Sequence, residues 1–332
     1  MIFEFDPDQR LWQDTVREVL AKECPATLVR GVVDSGADPG ALWRVYVKLG
    51  WTELADPERA VELAIVLEEL GRAVDPTPYL ATMTWFAPLA PGVAQPGQPA
   101  TAVYDGVTAH RDGDGWVLDG TARYVLDGDR AEWLAVATTG GVFAVPANAA
   151  TTRRAAAFDP GLHLAEVTFP GVRVTGAHRT GADPERARDL ALTGLALTTV
   201  GACQRILDLV LDHVRTRVQF GAPIGSFQAV QHRAADMHVA IERARALGYF
   251  AALAYAEGDP RRHLAAAMAK AAAGECQSRV FASGLQLFGG MGMTWEHDLQ
   301  FALKRAKATG LLLGGADHHR ESIVEACRAA LV

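Results

Sequence analysis

Apolar residues near the start of the chain recur at helical spacing. Between Gln9 and Lys22, Leu11, Trp12, Val16, Val19 and Leu20 fall on one stripe, which predicts an amphipathic helix. Similar patterns over Pro39–Leu49 and Glu58–Val74 predict two more, the second meeting the stop signals Gly71 and Pro76. Prolines at 76, 78, 88, 91, 96 and 99 then break the chain. Across 100–180 the period changes to short β-rich runs at 102–104, 115–120, 123–126, 133–137 and 142–145. Asp-Gly and Gly-Gly turns separate them, so an antiparallel meander or small barrel is expected. Asp112-Gly113-Asp114-Gly115 reads as a hairpin turn, because the bidentate Glu that would close a calcium loop is missing. From Pro184 the helical period returns in four long segments at about 184–216, 226–256, 260–287 and 297–330. The first three are rich in Ala and Leu and predict a bundle with further burial between subunits. Ser226 is expected to cap the start of the second segment, and Gly289 and Gly290 the end of the third.

Helices, then strands, then helices give an α+β arrangement. Three domains are expected, at residues 1–95, 96–180 and 181–332. Composition changes little in this picture. Hydrophobic residues make up 49% and charged residues 21%, which is ordinary for a soluble globular protein. The net charge of −7 gives no basic field for nucleic acid. The four cysteines are far apart with no paired spacing, so buried free thiols are expected rather than a disulfide framework. The acidic start of the chain has no signal-type apolar core. No apolar run reaches the roughly 18 residues a membrane span requires, and a cytoplasmic enzyme or enzyme subunit is expected.

Candidate chemistry concentrates in two strings. Arg217-Val-Gln-Phe220-Gly-Ala-Pro-Ile-Gly-Ser-Phe-Gln228 sets a cation, a tight turn and a helix start side by side. Gln286-Leu-Phe-Gly289-Gly290-Met-Gly292 ends a helix on glycines. A guanidinium, exposed backbone N–H groups and small residues suit a pyrophosphate. Each string alone has a plainer reading: a cation offsetting a helix C-terminus, and a helix terminus with nothing bound. Together they resemble the R-x-x-F-G-x-P-I-x-x-F-Q and Q-x-x-G-G-x-G patterns of the acyl-CoA dehydrogenase family. Val66-Leu-Glu-Glu-Leu-Gly-Arg72 is similar to that family's E-E-L-G-R segment.

The resemblance implies an N-terminal helical domain, a small antiparallel β domain and a C-terminal four-helix bundle. It implies FAD as cofactor and removal of an α-proton from an acyl thioester while a β-hydride goes to the flavin. Arg217 and Gln228 would contact the pyrophosphate and adenosine side of a neighbouring subunit's FAD, with Phe220 packing at the cofactor. Gln286, Gly289 and Gly290 would let the backbone approach the adenine and diphosphate. The family's W-x-T segment aligns with Tyr124-Val125-Leu126, where Tyr124 can stack on a ring and Leu126 has no hydroxyl. No T-E-x-x-x-G-S segment is present.

The family's catalytic base is not where alignment places it. One family position falls at Leu313 and the other at about Ala191, and neither side chain takes a proton. Asp189 is expected to be a solvated acid near a helix start, and Glu296 an N-cap or first-turn acid of the last helix. No catalytic residue is therefore assigned to this chain. Asp317-His318-His319 is read as a polar helix face rather than a metal site, since adjacent helical positions do not share a face. The leading expectation is a subunit that lends Arg217 and Gln228 to FAD shared with a related, base-bearing subunit of a hetero-oligomer. Its substrate would be an acyl-CoA or acyl carrier protein thioester, with electron-transferring flavoprotein as the expected acceptor. The alternatives are a self-sufficient dehydrogenase using Glu296 or Asp189, and a non-redox scaffold with this fold.

Overall fold

The computed structural model describes residues 5–329. The chain divides into two compact units: Met1–Ala37, Ala60–Asp75 and Leu192–Val332 form the first, and Asp38–Arg59 and Pro76–Ala191 the second. Helix and sheet are thus mixed as α+β, with the two larger sheets in the middle of the chain.

The second unit contains two small sheets. One is ordered β1-β4-β5, from Ala100–Val103, Trp133–Thr138 and Gly141–Pro146. The other is ordered β2-β3-β7-β6, from Val107–Asp112, Gly115–Leu126, Leu164–Val174 and Thr151–Ala155. All strand pairs in these two sheets are antiparallel except β1 with β4, so the first sheet is not a simple meander. The runs at 115–120 and 123–126 are one strand, β3, and the Asp112–Gly115 turn joins β2 to β3 as a hairpin. Leu118, Leu134, Val136, Phe143, Val167 and Phe169 fill the core between the sheets. The register of β3 against β7 shifts between Ala122 and Val125, which marks a bulge. Tyr124 sits in it with φ 58° and its side chain 62% exposed. Helix α3 (Gly40–Lys48) also belongs to this unit, and its Tyr46 stacks on Trp51 with ring centroids 4.9 Å apart.

The first unit is helical. Helix α1 (Pro7–Glu23) opens on a capping box, where the Gln9 amide donates to the Asp6 carboxylate at 2.8 Å. Helix α2 (Ala26–Ser35) follows; it was not expected, because ten residues starting after Pro25 give barely three turns of pattern. Helix α4 is Ala60–Ala73, and α5 is the 33-residue helix Pro184–Thr216, whose first residues belong to the second unit. Then come α6 (Gln228–Ala256) and α7 (Arg262–Phe288). The expected last segment, 297–330, is instead two helices, α8 (Leu299–Leu311) and α9 (Ala316–Ala329). The break falls where Gly314 adopts φ 104°, which lies outside the helical range.

Helices α4 and α5 touch backbone to backbone. A Cβ on Gly71 would lie 2.2 Å from the Thr198 carbonyl oxygen, and one on Gly201 would lie 1.9 Å from that of Glu68. Only glycine fits at either position. Among the described residues α5 is the one helix long and apolar enough to cross a membrane, and 89% of that stretch is buried within the protein. It therefore serves as a core helix. Cys24, Cys203 and Cys276 are free and buried as expected, whereas Cys327 is exposed, on the outer side of α9.

Candidate functional site

The Arg217 string forms a compact turn after α5. Arg217 still donates its amide to the His213 carbonyl at 2.8 Å, and its own carbonyl accepts from the Ile224 amide at 2.8 Å. Between these bonds lies a two-stranded ribbon, β8 (Val218–Gln219) and β9 (Ala222–Pro223). Its two turn residues, Phe220 and Gly221, have φ of 56° and 81°, as a type I′ hairpin requires. The turn drives the Phe220 ring outward, 94% exposed, with Phe227 edge-on to it at 6.2 Å. Ser226 does not cap α6: its hydroxyl donates to the Pro223 carbonyl at 2.7 Å, and the cap position is Phe227. The short 3-10 turn over Ile224–Ser226 takes up the residue that was expected to cap. Gln228 is the first residue of α6 and is exposed.

The second string ends α7. Gly289 is its C-cap with φ 60° and ψ −143°, a combination that side chains avoid, and its amide donates to the Leu285 carbonyl. A Cβ on Gly289 or Gly290 would meet nothing within 4 Å, whereas one on Gly292 would meet the Phe288 side chain at 3.0 Å. Gly292 is thus needed for packing, and Gly289 and Gly290 leave open space over bare backbone. Gln286 is exposed on the last turn of α7.

The fold brings the two strings together. Helices α6 and α7 pack as a hairpin, so Gln228 and Gln286–Gly290 lie at the same end. Ring contacts join this end to α5: the His213 ring stacks on Phe288 with centroids 4.4 Å apart, and His297 meets Phe288 edge-on at 4.8 Å. Burial, then the nearby Arg217 charge, then His297, hold His213 below the usual histidine value. Sequence reading missed all three rings, since only the folded chain brings residues 213, 288 and 297 together. Arg217 itself is exposed, with no side-chain hydrogen bond or ion pair among the described residues. Six of the seven expected cofactor residues thus stand in one unit: Arg217, Phe220, Gln228, Gln286, Gly289 and Gly290. Tyr124 stands in the other.

The positions where a base was sought are differently arranged. Leu313, between α8 and α9, has φ 55°, an uncommon conformation for leucine. Its carbonyl accepts from Nε2 of the buried His319 at 3.1 Å, which fixes the proton on that nitrogen. Lys270, fully buried on α7, donates through Nζ to the carbonyls of Gly310 at 2.7 Å and Gly314 at 3.0 Å. Burial pushes this lysine down to about 7, while the two carbonyls favour its charged form. Ala191 is buried on α5. Asp189 is 1% exposed, so it is not the solvated acid expected from its place near a helix start: the long helix α5 carries it inside. Glu296 lies before the helix rather than in it. The cap of α8 is Asp298, and the Glu296 side chain is exposed while its carbonyl accepts from Arg30 at 3.0 Å. His318 is exposed and His319 buried, so the adjacent pair does face different ways.

A nucleotide diphosphate fits the Arg217 end. A guanidinium without an ion pair among the described residues, backbone without side chains at Gly289 and Gly290, and the exposed amides of Gln228 and Gln286 present hydrogen-bond donors.

Comparison with known proteins agrees. The family profile described as acyl-CoA dehydrogenase, C-terminal domain, matches residues 191–327. The chain is 34% identical to "Acyl-CoA dehydrogenase IpdE2" of Mycobacterium tuberculosis over 318 residues, covering 92% of this chain and 93% of that one. In three dimensions it is similar to a chain of the ChsE4-ChsE5 complex from Mycobacterium tuberculosis, with a TM-score of 0.89, 26% identity and 98% of each chain covered. It is also similar to a chain of the "Tcur3481-Tcur3483 steroid ACAD G363A variant", with a TM-score of 0.85, 27% identity and 98% and 99% covered. With this identity sustained over nearly the whole of both sequences, the chain belongs to the acyl-CoA dehydrogenase family.

Proposed function

We propose that this chain is one subunit of a flavin-dependent enzyme that desaturates an acyl thioester between Cα and Cβ, and that a related subunit holds the catalytic base. FAD, when bound, supplies the acceptor for a hydride from Cβ. This chain's part is to bind and orient. Arg217 offers a forked cation to the diphosphate, Gln228 and Gln286 offer amide hydrogen bonds, and Gly289 and Gly290 keep side chains away from the adenosine side. The exposed Phe220 covers part of the cofactor, and Tyr124 offers a ring face to the flavin. The observation that carries the reading is the contrast between an unpartnered Arg217 beside bare backbone and a leucine where the family aligns its base. Two neighbours named as pairs of different chains support a hetero-oligomer.

The test is to express the chain alone and with a family member encoded beside it, and to measure mass and flavin per chain. The expected result is little flavin alone, and fewer FAD than chains in a complex that turns over acyl-CoA. Because one neighbour is described as a steroid enzyme, a steroid-bearing acyl-CoA is the first substrate to try. A homo-oligomer with one tightly held FAD per chain and activity of its own would overturn the proposal. The second reading would then take its place, a self-sufficient dehydrogenase with Glu296 or Asp189 as base.

A further inference from the structure

A cavity of about 490 Å³ opens within the helical unit among α1, α2, α4, α5 and the start of α8. Its volume is within the roughly 300–1,000 Å³ of small-molecule sites. It does not include Arg217, the glycine string or the Leu313 loop. One wall is apolar, from the buried side chains of Leu20, Val29, Val74 and Phe301. The other is charged, and nearly all of that charge is already matched. Glu69 accepts from Arg17 at 2.6 Å, Arg72 pairs with Asp208 at 2.8 Å, and Asp298 pairs with Arg30 at 2.7 Å. Arg205, on α5, is the exception: it lines the cavity, is half-buried, and has no ion pair or hydrogen bond among the described residues.

We infer that this cavity binds a small amphipathic acid, its anionic head on Arg205 and its apolar body against Leu20, Val29, Val74 and Phe301. A cationic ligand would meet Arg205 head-on. A neutral one would remove water from the guanidinium without replacing its hydrogen bonds, which is costly. A bare polyanion would leave the apolar wall uncovered. An acid with an apolar body satisfies both walls, and a carboxylate and a phosphate monoester offer the same kind of head.

The test uses the flavin-loaded complex, saturated with acyl-CoA so that its substrate site is filled. Binding of octanoate, octyl phosphate, octanol and inorganic phosphate is measured by calorimetry. Octanoate or octyl phosphate should bind, whichever binds more tightly naming the head group; octanol and inorganic phosphate should bind at least tenfold more weakly. Arg205→Gln should weaken the acid at least about tenfold, as loss of a charge-assisted contact does, while Arg205→Lys keeps most of it. Val29→Trp should block binding by filling the cavity. Flavin content should be unchanged in all three variants. Absence of acid binding, equal binding of octanol, or undiminished binding in Arg205→Gln would overturn the inference. If Arg205→Gln does not fold, the octanol comparison and Val29→Trp decide it.

Discussion

Two places at helix ends in the same unit teach opposite lessons. At the Arg217 end, groups that could bind are exposed and unused: the guanidinium, the Phe220 ring and the backbone over Gly289 and Gly290. At the 310–319 turn, by contrast, His319 holds the Leu313 carbonyl and Lys270 holds those of Gly310 and Gly314. Both places use left-handed backbone, at Phe220, Gly221 and Gly289 in one and at Leu313 and Gly314 in the other. Left-handed backbone thus serves both an end whose groups stay open and a turn whose carbonyls are tied down.

The largest expected effect falls on the tied-off turn. Lys270 titrates at about 7 in the folded chain and near its ordinary 10.5 when unfolded. Between those values the unfolded chain holds the proton and the folded chain does not, so stability rises with pH there and the gain disappears as pH falls to 7. The ceiling is about 1.4 kcal/mol per pH unit, lowered by the two carbonyls that favour the ammonium. Urea unfolding from pH 6 to 9 should show the rise in the native chain and lose it in Lys270→Met; a slope that survives in the variant would assign it to another group.

At the exposed end, Arg217→Ala should weaken FAD binding by roughly 1.5–3 kcal/mol, read as flavin retained after dialysis of the complex. An unchanged ratio of flavin to protein would show that the guanidinium is not the cofactor's grip. Gly289→Ala tests the open backbone beside it. Forcing a side chain into that conformation should cost about 1–3 kcal/mol of stability and loosen flavin as well. A normal melting temperature with full flavin would remove the glycine from the account.

Smaller effects test the absence of a base. Glu296→Gln should change turnover of the active complex by less than about 10-fold, since losing a true general base costs on the order of 10²-fold or more. A larger loss with flavin retained would give Glu296 the role. Leu313→Gly should be smaller still. Relief of the left-handed strain and the added freedom of the unfolded chain oppose each other, leaving a net change under about 1 kcal/mol. A large loss of stability there would mean that the leucine side chain, and not only the backbone, supports the turn.

What could be read in advance depended on range. The span of α5 followed from periodicity and the Pro184 start, and the α7 cap from Gly289. The gap between α8 and α9 was hidden because Leu312 and Leu313 continue the apolar pattern into it, and only the short Gly314-Gly315 pair interrupts it. Ser226 has the right chemistry for a cap, yet its hydroxyl found Pro223 first. The strings were visible because their spacing is local. The His213–Phe288–His297 ring cluster, the Lys270 clamp and the Arg205 cavity join residues far apart in sequence, and nothing in local pattern marks them. Tyr124 was named from alignment, but the bulge that turns it outward is a register shift between strands.

The crossing of α4 and α5 has a genetic consequence. Gly71 faces the backbone of Thr198, and Gly201 faces that of Glu68, so neither position is opposed by a side chain that could be trimmed. An overfilled core can usually be rescued by shrinking a neighbour. Here the neighbours are carbonyl groups, which every residue possesses. Revertants of Gly71→Ala or Gly201→Ala should therefore be true reversions at the same codon, with second-site suppressors in the facing helix missing from the collection.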